Sequence, residues 1–259
     1  MRIGIEFDGF DTLGETVDLT RRGEAAGVDS VWMAQHMGYR EAMMSCMAFA
    51  MATTRARLVP TAISPWLWHP TPTAMSFATL AEAAPGRVAA CVSVGNPLNL
   101  SESGIAFDKP VRVIREYVEA LRALWTGEPV TMEGHLFRLA RARLNFKPPQ
   151  PTLPIYVAST GPQVLALSGR IADGVLLSGG LTLASTRKFL AHVDDGARAA
   201  GRDPGSVRKA GFIYFSVSEN GTDAREDVRT KLAFLFRAKP HAENIRSSGL
   251  PIDHEAIIA

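Results

Sequence analysis

The sequence predicts an α/β fold, a TIM (β/α)8-type barrel shortened at its C-terminus, and three observations carry that prediction. Short runs rich in Val and Ile alternate with amphipathic stretches seven times between Arg2 and Phe236. Those runs lack the polar alternation of a half-exposed strand, which is the pattern of a parallel sheet covered by helices on its faces. No G-x-G-x-x-G follows the first run, so a dinucleotide-binding open sheet is disfavoured against a closed barrel.

The first unit is "RIGIEF" followed by "TLGETVDLTRRGEAAG", whose Leu13, Val17 and Ala25 mark one helix face ended by Gly27. Next come "SVWMAQ" with a helix through "EAMMSCMAFAMATT", "ARLVPTAI" with "TAMSFATLAEAA", and "RVAACVSVG" with "KPVRVIREYVEALRALWTG". The fifth unit pairs "LPIYVAS" with "GPQVLALSGRI" and the sixth "DGVLLSG" with "ASTRKFLAHVDDGARAAG". The seventh pairs "VRKAGFIYFSVS" with "DAREDVRTKLAFLF". Methionines 43, 44, 47 and 51 recur at helical spacing and are expected to pack against the strands.

One segment breaks the alternation. "GEPVTMEGHLFRL", residues 127–139, alternates apolar and polar residues about Glu133-Gly134 and predicts a hairpin. "NFKPPQPTLP" then predicts an extended connector fixed by its prolines. The hairpin is an excursion from a single domain spanning 1–259. From Arg237 onward the chain is polar and interrupted, and no eighth strand can be read there.

Composition narrows the function classes. The chain carries 28 Lys plus Arg against 26 Asp plus Glu with no dense basic run, which argues against nucleic acid as a partner. Cys46 and Cys91 both lie in apolar runs and read as small buried side chains, as in a cytoplasmic protein. No apolar run approaches the roughly 20 residues of a membrane-spanning helix, and no signal-peptide pattern precedes the first strand.

In a parallel barrel the chemistry gathers at the carboxyl ends of the strands. Those ends carry Glu6 and Asp8; Gln35 and His36; Ala62, Ile63 and Ser64 before "PWLWHP"; Ser93, Gly95, Asn96 and Asn99; Ala158, Ser159, Thr160 and Gly161; and Ser178, Gly179 and Gly180. No lysine ends strands one to six, so Schiff-base chemistry lacks its nucleophile. No His pair with a carboxylate stands at ligand spacing, so no metal site is expected. The rim suits a large, flat, mostly apolar ligand with an anionic end, received by backbone N–H groups where "STGPQ" starts a helix. Plainer readings stand beside these. His36 also fits a strand cap, Glu6 a solvent-facing strand end, and "STGP" an ordinary helix start with Pro162 at its first position. Trp66 and Trp68 either wall a pocket or cover the barrel mouth.

"SVWMAQHM", "TAISPWLWHP", "GRVAACVSVGNPLNL", "ALWTGEPVTMEGHLFRL", "PPQPTLPIYVASTGPQVLALSGRIADGVL" and "SSGLPID" together resemble the luciferase-like monooxygenase superfamily. The resemblance is to its deazaflavin-dependent branch, typified by methylenetetrahydromethanopterin reductase. It implies a barrel whose rim binds coenzyme F420, or alternatively FMN, and a hydride-transfer reaction on a small-molecule substrate. It also implies a non-proline cis peptide between Ala62 and Ile63, a ring-proximal His36 beside Gln35, and a turn at Gly95-Asn96 with Asn99 beside the pocket. The phosphate side falls on Ala158, Ser159, Thr160 and Gly161, with Gly179 and Gly180 on the neighbouring strand. Members are commonly homodimers.

Two departures from the family pattern matter. Gln35 and Asn96 stand where members often have carboxylates, which removes two proton sources. Glu6, matching the reductases' "GIEF", becomes the leading acid or base, with His36 second. The rivals are an FMN-dependent monooxygenase served by a flavin reductase, and a non-catalytic flavin-binding or truncated barrel. An aldolase-type barrel lacks its lysine.

Overall fold

A computed structural model describes residues 2–237 and 239–258. The chain divides into two compact units, residues 1–157 and 158–259. The first holds β1 (Gly4–Phe7), α1 (Leu13–Ala25), β2 (Ser30–Ala34), α2 (Ala42–Ala52), β3 (Arg57–Thr61), α3 (Pro70–Ala83), β4 (Ala90–Val92), α4 (Pro97–Glu102), α5 (Pro110–Trp125), the hairpin β5 (Val130–Glu133) and β6 (Arg138–Ala142), and then β7 (Ile155–Ala158) at its boundary. The strands β1, β2 and β3 are parallel, with Glu6 opposite Trp32 and Trp32 opposite Val59. Parallel bridges from Leu58 to Val88 and from Ile63 to Val92 join β3 to the β4 segment, and β4 pairs in parallel with β7, Cys91 opposite Tyr156.

Local chemistry explains where the helices of this unit begin. Thr12 and Glu15 form a reciprocal capping box on α1. Glu41 accepts from the Met43 and Met44 N–H groups at the start of α2. His69 Nδ1 accepts from Thr71 N–H ahead of α3, with Pro70 at the first helical position. The stripe Val113, Ile114, Tyr117, Val118, Leu121, Leu124 and Trp125 buries one face of α5. Its two polar tips are satisfied: Tyr117 Oη shares a 2.6 Å hydrogen bond with Thr73 Oγ1, and Trp125 Nε1 donates to the Ala74 carbonyl. Between α1 and β3, the Glu24 carboxylate accepts from the backbone N–H groups of Thr54, Arg55 and Ala56, which holds it below the ordinary carboxylate range against its own desolvation.

The second unit contains α6 (Pro162–Ile171), β8 (Gly174–Leu177), α7 (Leu183–Ala199), β9 (Arg208–Gly211), α8 (Gly221–Phe236), α9 (Lys239–Arg246) and α10 (His254–Ile258). β8 and β9 are parallel, Gly174 opposite Arg208 and Leu177 opposite Gly211. The core here is Leu165, Val175, Leu177, Phe189, Val193, Ala197 and Val207. α6 and α7 pack backbone to backbone. A Cβ at Gly169 would lie 1.9 Å from the Val193 carbonyl oxygen, and one at Gly196 equally close to that of Ala166. Only glycine permits such an approach.

Several expectations change in detail. The cis peptide joins Thr61 and Ala62, one bond earlier than the resemblance implied. The β2–β3 ladder ends at Thr61, whereas Ile63 is already committed to β4, its N–H on the Cys91 carbonyl and its own carbonyl accepting from Ser93. α2 is apolar apart from the buried Ser45, yet Met44 and Met51 are 71% and 77% exposed while Met43 is buried, so the methionine pattern is not one buried stripe. The short helix α4 was not legible, because two residues beyond Gly95 the sequence reads as loop. The seventh strand stops at Gly211, far short of Ser218, and no strand follows β9 among the described residues. Cys46 and Cys91 are fully buried, and burial pushes both thiols up.

Candidate active site

In the first unit Asp8 lies within electrostatic reach of both Glu6 and His36, and Ser64 lies against the Gly95 turn, while Gln35, Ala62, Ile63, Asn96 and Asn99 follow the ends of β2, β3 and β4. Glu6 lies on the strand face whose cross-strand neighbours are Trp32 and Val59. Trp32 meets Tyr156 edge to face at 5.3 Å, and the charge of Glu6 is felt at Cys91, the strand partner of Tyr156. Glu6 thus belongs to a layer of large, mainly apolar side chains. Part of the residue still reaches the surface, but its carboxyl is enclosed. Desolvation first, and the neighbouring Asp8 second, hold it well above the usual carboxylate range.

His36 is shifted the other way. Burial lowers its imidazole, and Asp8 opposes that shift without cancelling it. The two groups are both driven toward their uncharged forms: an acid that can donate and an imidazole that can accept. Titratable groups shifted by burial together with a specific charged neighbour are a mark of acid–base sites. Asp8 was legible at the first strand end, yet its coupling to both groups was not. The available signal was its position two residues after Glu6, just beyond the end of β1.

The remaining rim residues do structural work as well. Gln35 Oε1 accepts from Ala42 N–H at 2.8 Å and ties the strand end to the start of α2. Ser64 is buried and donates to the Val94 carbonyl at 2.7 Å. Gly95 has φ +92°, and a Cβ there would press on Ser64. Ser93 Oγ accepts from its N–H, while the carbonyls of Asn96 and Asn99 receive Leu100 and Ser103 N–H in α4. Trp66 stacks edge-on against Phe107 at 5.9 Å, and its Nε1 is buried without a partner among the described residues. A buried indole N–H in that state is a donor awaiting an acceptor.

In the second unit, Gly161 is the N-cap of α6 and supplies no side-chain cap, unlike Thr182 on α7. The first intrahelical bond runs from Leu165 N–H to the Gly161 carbonyl, which leaves the Gln163 and Val164 N–H groups pointing out of the helix start. Ser159 Oγ accepts from Gly161 N–H at 3.0 Å and so occupies one donor of the turn. Ala158, Ser159, Thr160 and Gly161 are all half-buried. Gly179 and Gly180 differ from expectation in what fills the space beside them. A Cβ on Gly179 would meet the Tyr214 ring at 2.6 Å, and one on Gly180 would meet Leu235 and Phe236.

Among the described residues no three His, Cys, Asp or Glu side chains cluster as metal ligands. No helix among them is long and apolar enough to cross a membrane.

Comparison with known proteins adds independent information. Residues 4–255 match the family profile described as luciferase-like monooxygenase. The 5,10-methylenetetrahydromethanopterin reductase of Methanolobus tindarius is 28% identical over 243 residues, covering 93% of this chain and 73% of that protein. The F420-dependent glucose-6-phosphate dehydrogenase of Nakamurella multipartita is 33% identical over 241 residues, covering 88% and 71%. Among solved structures, the coenzyme F420-dependent tetrahydromethanopterin reductase of Methanopyrus kandleri superimposes with a TM-score of 0.85 at 25% identity, over 91% of this chain and 72% of that one. An F420-dependent secondary alcohol dehydrogenase, solved with an F420–acetone adduct, gives 0.82 at 26% identity, over 100% and 84%.

Proposed function

Because the chain belongs to the luciferase-like monooxygenase family and has the α/β-barrel fold of its F420-dependent members, we propose that it is an oxidoreductase using coenzyme F420 to move a hydride to or from a small organic substrate. Relatives over most of its length include a dehydrogenase, a reductase and an alcohol dehydrogenase named as F420-dependent, and that shared cofactor supports the reading. The observation that carries it is the placement of Glu6 and His36 at neighbouring strand ends, both facing the Asp8 charge, where burial raises the Glu6 carboxyl and lowers the His36 imidazole.

When bound, F420 supplies the ring carbon that accepts or gives the hydride. Gln35, His36, Ala62, Ile63, Ser64, Gly95, Asn96 and Asn99 would line its ring, and the unpartnered Trp66 N–H suits a polar edge of such a ligand. Within the second unit, the start of α6, with Ala158, Ser159, Thr160 and Gly161, is by itself suited to a phosphate through main-chain donors and the helix dipole. Any part of Gly179 and Gly180 is confined to their main chain, since Tyr214, Leu235 and Phe236 take the adjoining space.

The chain's own contribution is to orient the substrate, exclude water and move a proton. Glu6, whose hold on its proton is strengthened by burial, delivers that proton to the substrate heteroatom as the neighbouring carbon receives hydride; the reverse reaction returns the proton to Glu6. His36 accepts a hydrogen bond from the same region without adding charge. Asp8 sustains the arrangement by raising the cost of a second negative charge on Glu6. The two buried free cysteines fit a reducing cytoplasm.

The test is to mix reduced F420 with purified protein and a panel of small ketones, aldehydes and imines, and to follow cofactor oxidation. Oxidation that needs the substrate, and that falls in Glu6→Gln, supports the reading. Rapid reoxidation by air alone, and only with FMN and a flavin reductase, would replace it with the monooxygenase reading.

A further inference from the structure

Two loops of the first unit meet beside Glu6 and His36. One, residues 8–12, joins β1 to α1 and begins with Asp8; the other, residues 35–41, joins β2 to α2 and carries His36. The second loop is fixed at its ends. Gln35 Oε1 accepts from Ala42 N–H across it, Tyr39 N–H donates to the His36 carbonyl within it, and the Glu41 carboxylate is taken up by the first N–H groups of α2.

From this fixed loop Arg40 reaches the other. Its Nη1 donates to the Gly9 carbonyl at 3.0 Å and to the Phe10 carbonyl at 2.6 Å, 31 and 30 residues away in sequence. Gly9 is buried, so its carbonyl needs a protein donor, and a guanidinium gives a charge-assisted one. Tyr39 adds ring contacts, meeting Phe10 edge to face at 4.8 Å and His36 at 6.1 Å. Gly9 has φ +86°, and a Cβ on it would stand 3.2 Å from Tyr39 Cβ and 3.3 Å from the Arg40 main-chain nitrogen, so the loops approach each other closely there.

We propose that Arg40 is a positioning residue for the acid–base site: by clasping the Gly9 and Phe10 carbonyls from the His36 loop, it keeps the Asp8 carboxylate beside both Glu6 and His36. The inference deepens the reading of Glu6 and His36 given above and rests on it. Arg40 is singled out because its grip begins one residue beyond Asp8 and is anchored four residues beyond His36, so a single side chain ties the two groups' loops together. Its own charge bears on Glu15, whereas the charge that bears on Glu6 and on His36 is that of Asp8. Arg40 therefore acts on the pair through the place it gives Asp8. The other titratable side chains of the two loops are Asp11, Tyr39 and Glu41, the last already held by α2.

The His36 imidazole reports where Asp8 stands without cofactor or turnover, so this test can fail while the F420 reading holds, and the reverse. Its titration is followed by NMR of histidine-labelled protein, the His36 signal being assigned by its loss in His36→Gln. Asp8→Asn removes the charge that raises the imidazole and should lower the titration midpoint. Arg40 is exposed, so the fold should tolerate Arg40→Met, and loss of the clasp should lower the midpoint in the same direction by at least about 0.3 pH unit. With Asp8→Asn already in place, Arg40→Met should add nothing further. Arg40→Lys keeps a charged donor on the same loop and should recover most of the fall. A midpoint that rises in Arg40→Met, as it would if the guanidinium acted on His36 by its own charge, would overturn the proposal. So would an unmoved midpoint, a fall of equal size in the Asp8→Asn background, or no recovery with lysine.

Discussion

Glu6 of β1 stands directly opposite Trp32 of β2 in the parallel ladder, placing a carboxyl in a layer that continues through Tyr156 and Cys91. A charged group among such neighbours is costly, and the protein meets that cost by keeping the proton. The central chemical claim, an acid whose hold on its proton is strengthened by burial, grows from this juxtaposition.

Glu6→Gln keeps the shape and neutrality of the site but removes its transferable proton. The variant should bind cofactor like the wild type and lose about 10²- to 10⁴-fold in kcat, measured by steady-state turnover. Stability should respond in a signed way. The folded-state pKa of Glu6 is raised, so its contribution is full below the unfolded value and is lost as pH rises through the folded value. Urea unfolding of wild type and variant should therefore show the wild type losing stability relative to Glu6→Gln as pH climbs above about 4.5. A flat difference would place Glu6 in water.

His36 gives the opposite sign. Burial lowers its pKa, so its contribution is present above the unfolded value and is lost as pH falls through the folded value. Relative to His36→Gln, the wild type should lose stability on acidification from about pH 7 to pH 5, read by the same unfolding series.

Gly161→Asp tests the helix start. An added Cβ there has only Ser159 Oγ nearby, at 3.7 Å, and the backbone φ of −81° suits any residue, so the melting temperature should stay within a few degrees of wild type. A negative charge at the anion-receiving turn should weaken F420 by about tenfold or more in an equilibrium titration. Unchanged affinity would remove α6 from the phosphate site.

Gly169→Ala reads the packing of α6 on α7. The methyl group would have to displace the Val193 carbonyl, which belongs to a helix backbone and cannot rotate away. A loss of about 3 kcal/mol or more by chemical denaturation is expected, well above an ordinary helical Gly→Ala change. A stabilised variant would mean that the helices are not in backbone contact.

The seven strand–helix alternations and the hairpin were legible because burial on both faces, helical periodicity and turn residues are local signals. The rim positions followed from strand polarity. What escaped depended on contacts distant in sequence. The cis bond sits at Thr61–Ala62 because pairing with β2 ends there, and pairing partners are not written in "VPTAIS". Gly179 and Gly180 read as room for a ligand, whereas Tyr214, Leu235 and Phe236 fill that room from more than 30 residues away. Met44 and Met51 share the spacing of a buried stripe, but a helix whose one polar residue, Ser45, is buried offers no polar face to say which side is outward. Asp8 was visible as a rim residue, while its hold on Glu6 and His36 needed three-dimensional proximity.

The most direct test of the account is a titration of the purified chain with F420 and, separately, FMN, following tryptophan fluorescence. A saturable change at one equivalent of F420 with a far weaker response to FMN is the predicted result. Preference for FMN, or no response to either molecule, would contradict it.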